Sequence, residues 1–306
     1  MPTSPPDSKT PSPAGKSRLR TFASRLLSTV ALWAVVVSAF LLGNNLLFFI
    51  LIAAAMIAGL IEYFYLLRAA TGSRRFMIQT TVVSVLYLWY LFGYREGAEP
   101  GMLAAADGLF IAGLMILLVI SRLGSGLEGR KSLDELMRAL FGFIYVVLLF
   151  SFVAKILFLP LQDETGASSS AWYVLFLVIV TKFTDTGAYI VGSLVGRHKC
   201  IPHISPGKTW EGLGGGVLGA FIGSFGCRFL FGEHLVLPGS TTMLIGATFA
   251  LAVAAIVGDL SESILKRTLE TKDSGHFMPG IGGVLDLIDS MLFTAPVFYF
   301  YLVLLG

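Results

Sequence analysis

The sequence predicts an all-α protein that crosses a membrane several times. Of its 306 residues, 55% are apolar and only 13% are charged, whereas soluble domains carry roughly 25% charged residues. The apolar residues are also gathered into long runs, and about 20 such residues are enough for one helix to span a bilayer. These two observations exclude a soluble domain and predict a polytopic membrane protein.

The elements follow one another with short connections. Residues 1–22 form a basic tail rich in Pro, Ser and Thr, and this composition predicts disorder. The run behind Arg25 has the alternative of a cleaved signal peptide, but it is long and no small-x-small cleavage motif follows it. About nine transmembrane helices are predicted, at residues 26–43, 46–66, 77–94, 104–121, 139–160, 171–195, 213–232, 241–259 and 286–305.

The distribution of Lys and Arg predicts the orientation. If the N-terminus is cytoplasmic, nearly all of these residues fall in inner segments, and only Arg95 and Arg228 fall in outer ones. Such a bias favours a cytoplasmic N-terminus. The polar segments 197–212 and 260–285 then face the cytoplasm, and the C-terminus lies outside.

A dense polar segment, SILKRTLETKDSGHFMPGIGGVLDLIDS, begins at Ser263 between two apolar spans. Charges next to a membrane usually mark a function. Just before and within its start, five polar residues recur at helical spacing and share one face: Asp259, Glu262, Ser263, Lys266 and Arg267. Acids followed by bases can hold a metal ion and its bound phosphates; the alternative is a solvated helix end with ion pairs.

Carboxylates also stand at the start of the last span. Asp286 and Asp289 are three residues apart, where a helix N-terminus favours negative charge. Simple helix capping is the alternative for each. Together with Asp259 they predict a Mg²⁺ site, because Mg²⁺ takes one or two carboxylates plus water and substrate phosphate.

Other charges fall inside apolar runs. Asp185 is expected to pair with Lys182, a basic loop residue or a metal, because an uncompensated buried carboxylate is unfavourable. The loop that follows supplies Ser205, Lys208 and Glu211. For the isolated intramembrane charges, pairing within the helix bundle is favoured over catalysis; these are Glu62, Asp107 and Lys155.

Three patterns imitate known sites. Gly214–Gly219 matches G-x-G-x-x-G, but it opens an apolar span, so close helix packing is favoured over dinucleotide binding. Pro202–Thr209 lacks the first glycine of a phosphate loop, although Lys208 remains open as a phosphate ligand. Cys200, with His198 and His203, fits no standard zinc spacing, so local polar packing is favoured.

The polar segment resembles the signature of the phosphatidate cytidylyltransferases, also called CDP-diacylglycerol synthases. The signature positions read Ser263, Leu265, Lys266, Arg267, Lys272, Asp273, Gly275, Met278, Pro279, Gly282, Gly283, Asp286 and Asp289. Two upstream segments are also similar, namely Asp185, Thr186, Ala188 and Tyr189, and then Ser205–Gly212. The resemblance covers the C-terminal part, so we divide the chain into N-terminal transmembrane helices, 23–165, and a C-terminal catalytic region, 166–306.

The chain departs from this pattern at three positions. Ile281 stands where the signature has His, Leu287 where it has Arg, and Gly207 where it has Lys. If the His or Arg contacts a phosphate, affinity or rate will differ in this protein. Every carboxylate and the pair Lys266–Arg267 remain, so activity is expected.

The resemblance implies the reaction CTP + phosphatidate → CDP-diacylglycerol + diphosphate, with Mg²⁺ as cofactor. It implies five catalytic residues: Asp259, Lys266, Arg267, Asp286 and Asp289. Asp259 and Asp286 would bind the metal, with Glu262 and Asp289 in support. Substrate binding would fall to Ser205, Lys208, Ser263, Lys272 and Asp185. Partners would be the two substrates and the bilayer, without nucleic acid; a homodimer stays open, and a bacterial inner membrane is expected, with the site facing the cytoplasm.

Two other functions are weighed against this one. A related CTP-dependent lipid enzyme, such as a polyprenol kinase, would use similar metal chemistry with another acceptor. A transporter would line a path with Asp185, Lys182 and Glu62, but transporters often have repeated halves, and none is evident.

Overall fold

Eight helices form the described part of the chain, which comprises residues 38, 45–68, 74–94, 100–124, 129–163, 165–236, 239–269 and 283–305 of a computed structural model. All eight are long and apolar enough to cross a membrane. They are α1 (Asn45–Arg68), α2 (Arg74–Gly93), α3 (Pro100–Leu123), α4 (Arg130–Phe158), α5 (Ser170–Val195), α6 (Trp210–Phe231), α7 (Thr241–Thr268) and α8 (Val284–Leu305).

The predicted all-α class is confirmed, since the described residues form helices joined by loops and contain no strand, only two isolated bridges. Eight of the predicted spans coincide with α1 to α8. The first predicted span, 26–43, lies outside the described residues except for Ser38, and so does the basic tail 1–22. The orientation and the division at residue 165 stay predictions.

Two helices extend beyond their apolar runs into polar sequence. α4 begins at Arg130 rather than at 139, and it contains a π-helical segment, Phe143–Leu148. α7 continues to Thr268, past the predicted end at 259. A helix satisfies its own backbone hydrogen bonds, so it need not end where the apolar sequence ends. The polar residues from Asp259 to Arg267 therefore lie on a helix, as predicted.

Glycines bring α5 and α6 together backbone to backbone. A Cβ atom on Gly215 would lie 2.7 Å from the carbonyl oxygen of Gly187, and one on Gly216 would lie 3.2 Å from that of Thr184. Small residues permit this approach between helices in a membrane. The prediction that the glycine-rich segment serves helix packing is confirmed.

α8 lies in the middle of the bundle, where it packs against α7, α4, α1 and α5. Leu285, Leu292 and Ala295 are fully buried along its length. The start of α8 is therefore surrounded by other helices, and its position depends on them.

A buried polar network joins α2, α3 and α4. Lys155 Nζ lies 2.6 Å from Asp107 Oδ2, and the hydroxyl of Tyr87 donates to Asp107 Oδ1 at 2.6 Å. Ser151 Oγ lies 3.0 Å from the Tyr87 hydroxyl. Each charge has an opposite charge and hydrogen bonds, as buried charges require. The predicted bundle pairing of Asp107 and Lys155 is confirmed.

Candidate active site

Three carboxylates converge where α7 meets α8. Asp259 and Glu262 on α7 and Asp289 on α8 each offer one oxygen, and these oxygens lie within 4.8 Å of one another. No other group of three or more His, Cys, Asp or Glu residues converges in this way within the described ranges. We call these three residues the carboxylate cluster.

Gly258 explains why the two helices approach so closely at this point. A Cβ atom there would lie 2.7 Å from the carbonyl oxygen of Asp289 and 2.8 Å from the Cα atom of Ser290. Only a residue without a side chain tolerates that contact. The sequence therefore places a glycine next to Asp259 where the backbone of α8 touches α7.

Two lysines offset part of the negative charge of this region. Lys208, from the loop between α5 and α6, lies with its Nζ 2.7 Å from Asp259 Oδ2. Lys266 lies with its Nζ 2.6 Å from Asp286 Oδ1 and 3.1 Å from Glu262 Oε2. The ammonium group of Lys208 thus lies beside the carboxylate cluster, and its role as a phosphate ligand stays a prediction.

The carboxylate cluster needs positively charged partners, because its carboxylates are close together and two of them are buried. Glu262 is 4% exposed and Asp289 is 6% exposed, so water solvates them poorly. Carboxylates at this separation repel one another, and buried ones need a positive partner. Lysines, a divalent cation, or both can meet this need.

A second polar group joins α5 to α8. Lys182 Nζ lies 3.2 Å from Asp185 Oδ2 and donates to the carbonyl oxygen of Leu287 at 3.0 Å. The hydroxyl of Ser290 donates to Asp185 Oδ1 at 3.0 Å. The expected pairing of Asp185 with Lys182 is confirmed. The contact with Leu287 was not predicted, because every residue has a backbone carbonyl and the sequence does not indicate which one accepts a hydrogen bond.

The first turn of α8 is capped by two carboxylates. Asp286 Oδ2 accepts a hydrogen bond from the Gly283 amide at 3.1 Å, which is the capping alternative considered above. Glu62, on α1, accepts one from the Leu285 amide through Oε2 at 2.8 Å. Asp286 thus both caps the helix and pairs with Lys266, and it is not a member of the carboxylate cluster.

Other predicted residues lie around this centre in different ways. Arg267 donates from Nε to the carbonyl oxygen of Ile204 at 3.1 Å, so it fixes the α5–α6 loop. Ser263 donates to the carbonyl oxygen of Asp259 at 3.0 Å. Ser205 belongs to a turn in which its carbonyl oxygen accepts from the Lys208 amide at 3.2 Å. Lys272 lies outside the described residues.

The zinc alternative receives no support from the loop. His198 Nδ1 lies 2.5 Å from Glu211 Oε1, and Glu211 also accepts from the amides of Arg197 and His198. Glu211 thus ties the segment after α5 to the first turn of α6, while Thr209 caps α6 by accepting from the Gly212 amide at 3.1 Å. Cys200, His198 and His203 do not converge.

The carboxylate cluster fits a hard divalent cation. Mg²⁺ binds oxygen ligands, usually one or two carboxylates together with water and substrate phosphates. Three carboxylates from two helices provide such oxygens. The sequence favoured Asp259 with Asp286, whereas the geometry groups Asp259 with Glu262 and Asp289. Asp259 is common to both sets.

Comparison with known proteins gives a consistent result. The sequence model of the cytidylyltransferase family matches residues 23–305. A phosphatidate cytidylyltransferase of Haemophilus influenzae is 33% identical over 285 residues, which are 90% of this chain and 97% of that protein. The similarity therefore includes the N-terminal helices, beyond the C-terminal part that carries the polar motifs.

Two further relatives align over shorter stretches. A phosphatidate cytidylyltransferase of Bacillus subtilis is 40% identical over 161 residues, covering 53% of this chain and 56% of its own length. A protein of Escherichia coli K12 named YnbB, described only as uncharacterized, is 38% identical over 194 residues, covering 63% of this chain and 61% of its own.

Proposed function

Because the chain belongs to the cytidylyltransferase family, we propose that it is a phosphatidate cytidylyltransferase. It would transfer the cytidylyl group of CTP to the phosphate of phosphatidate, forming CDP-diacylglycerol and diphosphate. The observation that carries the proposal is the carboxylate cluster between α7 and α8, with Lys208 and Lys266 beside it. Such a site can hold the phosphates of a nucleotide next to a bilayer.

The reaction requires charge neutralisation and alignment more than proton transfer. A phosphate oxygen of the lipid attacks the α-phosphorus of CTP, a new P–O bond forms, and the bond from that phosphorus to the bridging oxygen of the β-phosphate breaks. Diphosphate leaves with the electron pair. The attacking phosphate is already ionised near neutral pH, so the site needs no strong base, and positioning dominates, as in other phosphoryl transfers.

The residues divide this work by their positions. Asp259, with Glu262 and Asp289, would hold Mg²⁺, which reduces the negative charge of the triphosphate. Lys208 and Lys266 would bind phosphate oxygens directly. The remaining assignments from the family resemblance complete the proposal: Asp286 as a metal ligand or as the partner of Lys266, Arg267 and Lys272 as phosphate ligands, Ser205 and Ser263 as hydrogen-bond donors, and Asp185 as support.

The proposal also includes the membrane, the orientation and the oligomeric state of the enzyme. A bacterial inner membrane is supported by the bacterial sources of the relatives and by the eight apolar helices. A site that faces the cytoplasm is supported by the Lys and Arg distribution. A homodimer would be tested by measuring the mass of the purified protein in detergent.

The decisive test uses CTP labelled at one phosphorus at a time. Purified protein in detergent receives phosphatidate, Mg²⁺ and CTP labelled at either the α- or the γ-phosphorus. We expect the α-label, and not the γ-label, to enter the lipid as CDP-diacylglycerol. Asp259→Asn should lower the rate about 100-fold or more, the order seen when one transition-state contact is removed. Asp134→Asn, on α4, is the matched control and should remain near wild type.

Two other outcomes of this labelling experiment would contradict the proposed function. Transfer of the γ-label to a lipid alcohol would identify a lipid kinase. Folded wild-type protein that transfers no α-label to phosphatidate would refute the proposed function.

A further inference from the structure

Glu62 is a buried carboxylate in the N-terminal part of the chain, far in sequence from the polar motifs. It lies within the membrane-spanning part of α1 and is only 5% exposed. A charge in this position is unfavourable unless a specific partner stabilises it, and intramembrane carboxylates usually serve a function. Its partner therefore indicates what it does.

That partner is the first turn of α8. Glu62 Oε2 accepts a hydrogen bond of 2.8 Å from the amide of Leu285, the second residue of the helix. Amides in a first helical turn have no acceptor within their own helix. A carboxylate also interacts favourably with the positive end of the helix dipole. Glu62 thus caps α8 from a separate helix.

Neighbouring contacts hold Glu62 in that position. Gly59, three residues earlier and on the same face of α1, faces α8, where a Cβ atom would lie 3.0 Å from Ile288 Cδ1. The hydroxyl of Tyr63 donates to the carbonyl oxygen of Arg138 on α4 at 2.9 Å. α1 is therefore fixed against α8 and α4 on either side of the carboxylate.

From this arrangement we propose that Glu62 is a positioning residue of the active site. By fixing the Leu285 amide, it sets the start of α8 and with it Asp286 and Asp289, which follow one and four residues later. Asp289 then stands opposite Asp259 and Glu262 in the carboxylate cluster. The inference rests on the proposed function only for what the cluster does with CTP; the metal affinity of the cluster can be measured without either substrate.

The test measures Mn²⁺ binding by electron paramagnetic resonance, with full-length protein in detergent and no CTP or lipid. Glu62→Ala should weaken Mn²⁺ binding about 10- to 100-fold, the range found when residues that orient metal ligands are removed. Glu62→Gln should bind nearly as wild type, because its amide oxygen can accept the same hydrogen bond. Glu62→Asp keeps the charge, but its side chain is one methylene shorter and its carboxylate lies farther from the Leu285 amide. It should therefore bind Mn²⁺ more weakly than Glu62→Gln.

Glu135→Ala is the control matched to Glu62→Ala, since Glu135 is also a buried glutamate but pairs with Arg122 through Oε2 at 3.3 Å. It should leave Mn²⁺ binding unchanged, even if thermal unfolding shifts. A merely structural Glu62 would behave in the same way, with lower stability and unchanged Mn²⁺ binding in Glu62→Ala. If Glu62→Ala does not fold, wild-type affinity in Glu62→Asp would overturn the proposal in its place.

Two further outcomes separate this inference from the proposed function. A wild type that binds no Mn²⁺ would overturn the positioning role. Weaker Mn²⁺ binding in Glu62→Ala, combined with a wild type that makes no CDP-diacylglycerol, would support the positioning role and refute the proposed reaction.

Discussion

At the scale of single residues, Asp286 and Asp289 have different surroundings although they are only three positions apart. Asp286 pairs with Lys266, whereas Asp289 joins Asp259 and Glu262. Three residues of an α-helix turn through about 300°, so the two side chains diverge by about 60°. Asp286 therefore lies beside the cluster, where it also forms a side-chain hydrogen bond with Glu262, whereas Asp289 is a member of the cluster.

This difference predicts unequal effects on metal binding. Asp289→Asn should weaken Mn²⁺ binding at least about 10- to 100-fold, the loss typical of outer-shell partners of a metal. Asp286→Asn should weaken it less and act mainly on turnover, because Lys266 loses a partner. Mn²⁺ titrations and CTP turnover on both variants measure the two effects. The reverse order in the Mn²⁺ titrations would favour the pair Asp259 and Asp286, as derived from the sequence.

At the scale of helices, the site depends on the crossing of α7 and α8. Gly258 lies at the crossing, where a Cβ atom would meet backbone atoms of Asp289 and Ser290. Backbone atoms cannot rotate away as the end of a side chain can. The distance between α7 and α8, and thus the size of the carboxylate cluster, is therefore sensitive to one methyl group.

Gly258→Ala should therefore separate the two helices and lower activity. Overpacking of this kind typically costs about 1–3 kcal/mol, and the thermal unfolding temperature should fall with it. Gly246→Ala is the control on the same helix, since a Cβ atom there would meet nothing within 4 Å. Thermal unfolding and turnover of both variants would be compared. Equal behaviour of the two would show that the close contact at Gly258 is unimportant.

The helices themselves were largely predictable, while their mutual contacts were not. Apolar runs of sufficient length predicted α1 to α8, because membrane thickness dictates the length of a span. The start of α4 at Arg130 was missed, since amphipathic polar sequence there continues the helix beyond its apolar run. Helical spacing predicted that Asp259 and Glu262 share a face, but no spacing within one segment could show which residue of α8 faces them.

At the scale of the whole molecule, the two parts of the chain meet at the site. Glu62 and Leu285 are separated by 223 positions, yet they form a hydrogen bond. Motifs reveal residues that share one segment, whereas this contact arises from the packing of α1 on α8. The sequence could therefore show that Glu62 is unusual, but it could not show what Glu62 contacts.

The orientation of the molecule can be tested with a native cysteine. Cys200 lies in the α5–α6 loop and is partly exposed, whereas Cys227 is buried. We expect a membrane-impermeant maleimide to label Cys200 in permeabilised cells but not in intact spheroplasts, because the Lys and Arg distribution predicts a cytoplasmic loop. Glu233→Cys, in a Cys200→Ser background, is the opposite control. Its position follows the far end of α6, so it should be labelled in intact spheroplasts.

The same experiment also bears on catalysis, because Lys208 from this loop contacts Asp259 in the carboxylate cluster. The side of the membrane that holds Cys200 is therefore the side that holds the site. CTP is made in the cytoplasm, so a cytidylyltransferase must open to that side. If Cys200 were labelled in intact spheroplasts, the site would face the side of the membrane that lacks CTP. That result would contradict both the predicted orientation and the proposed reaction.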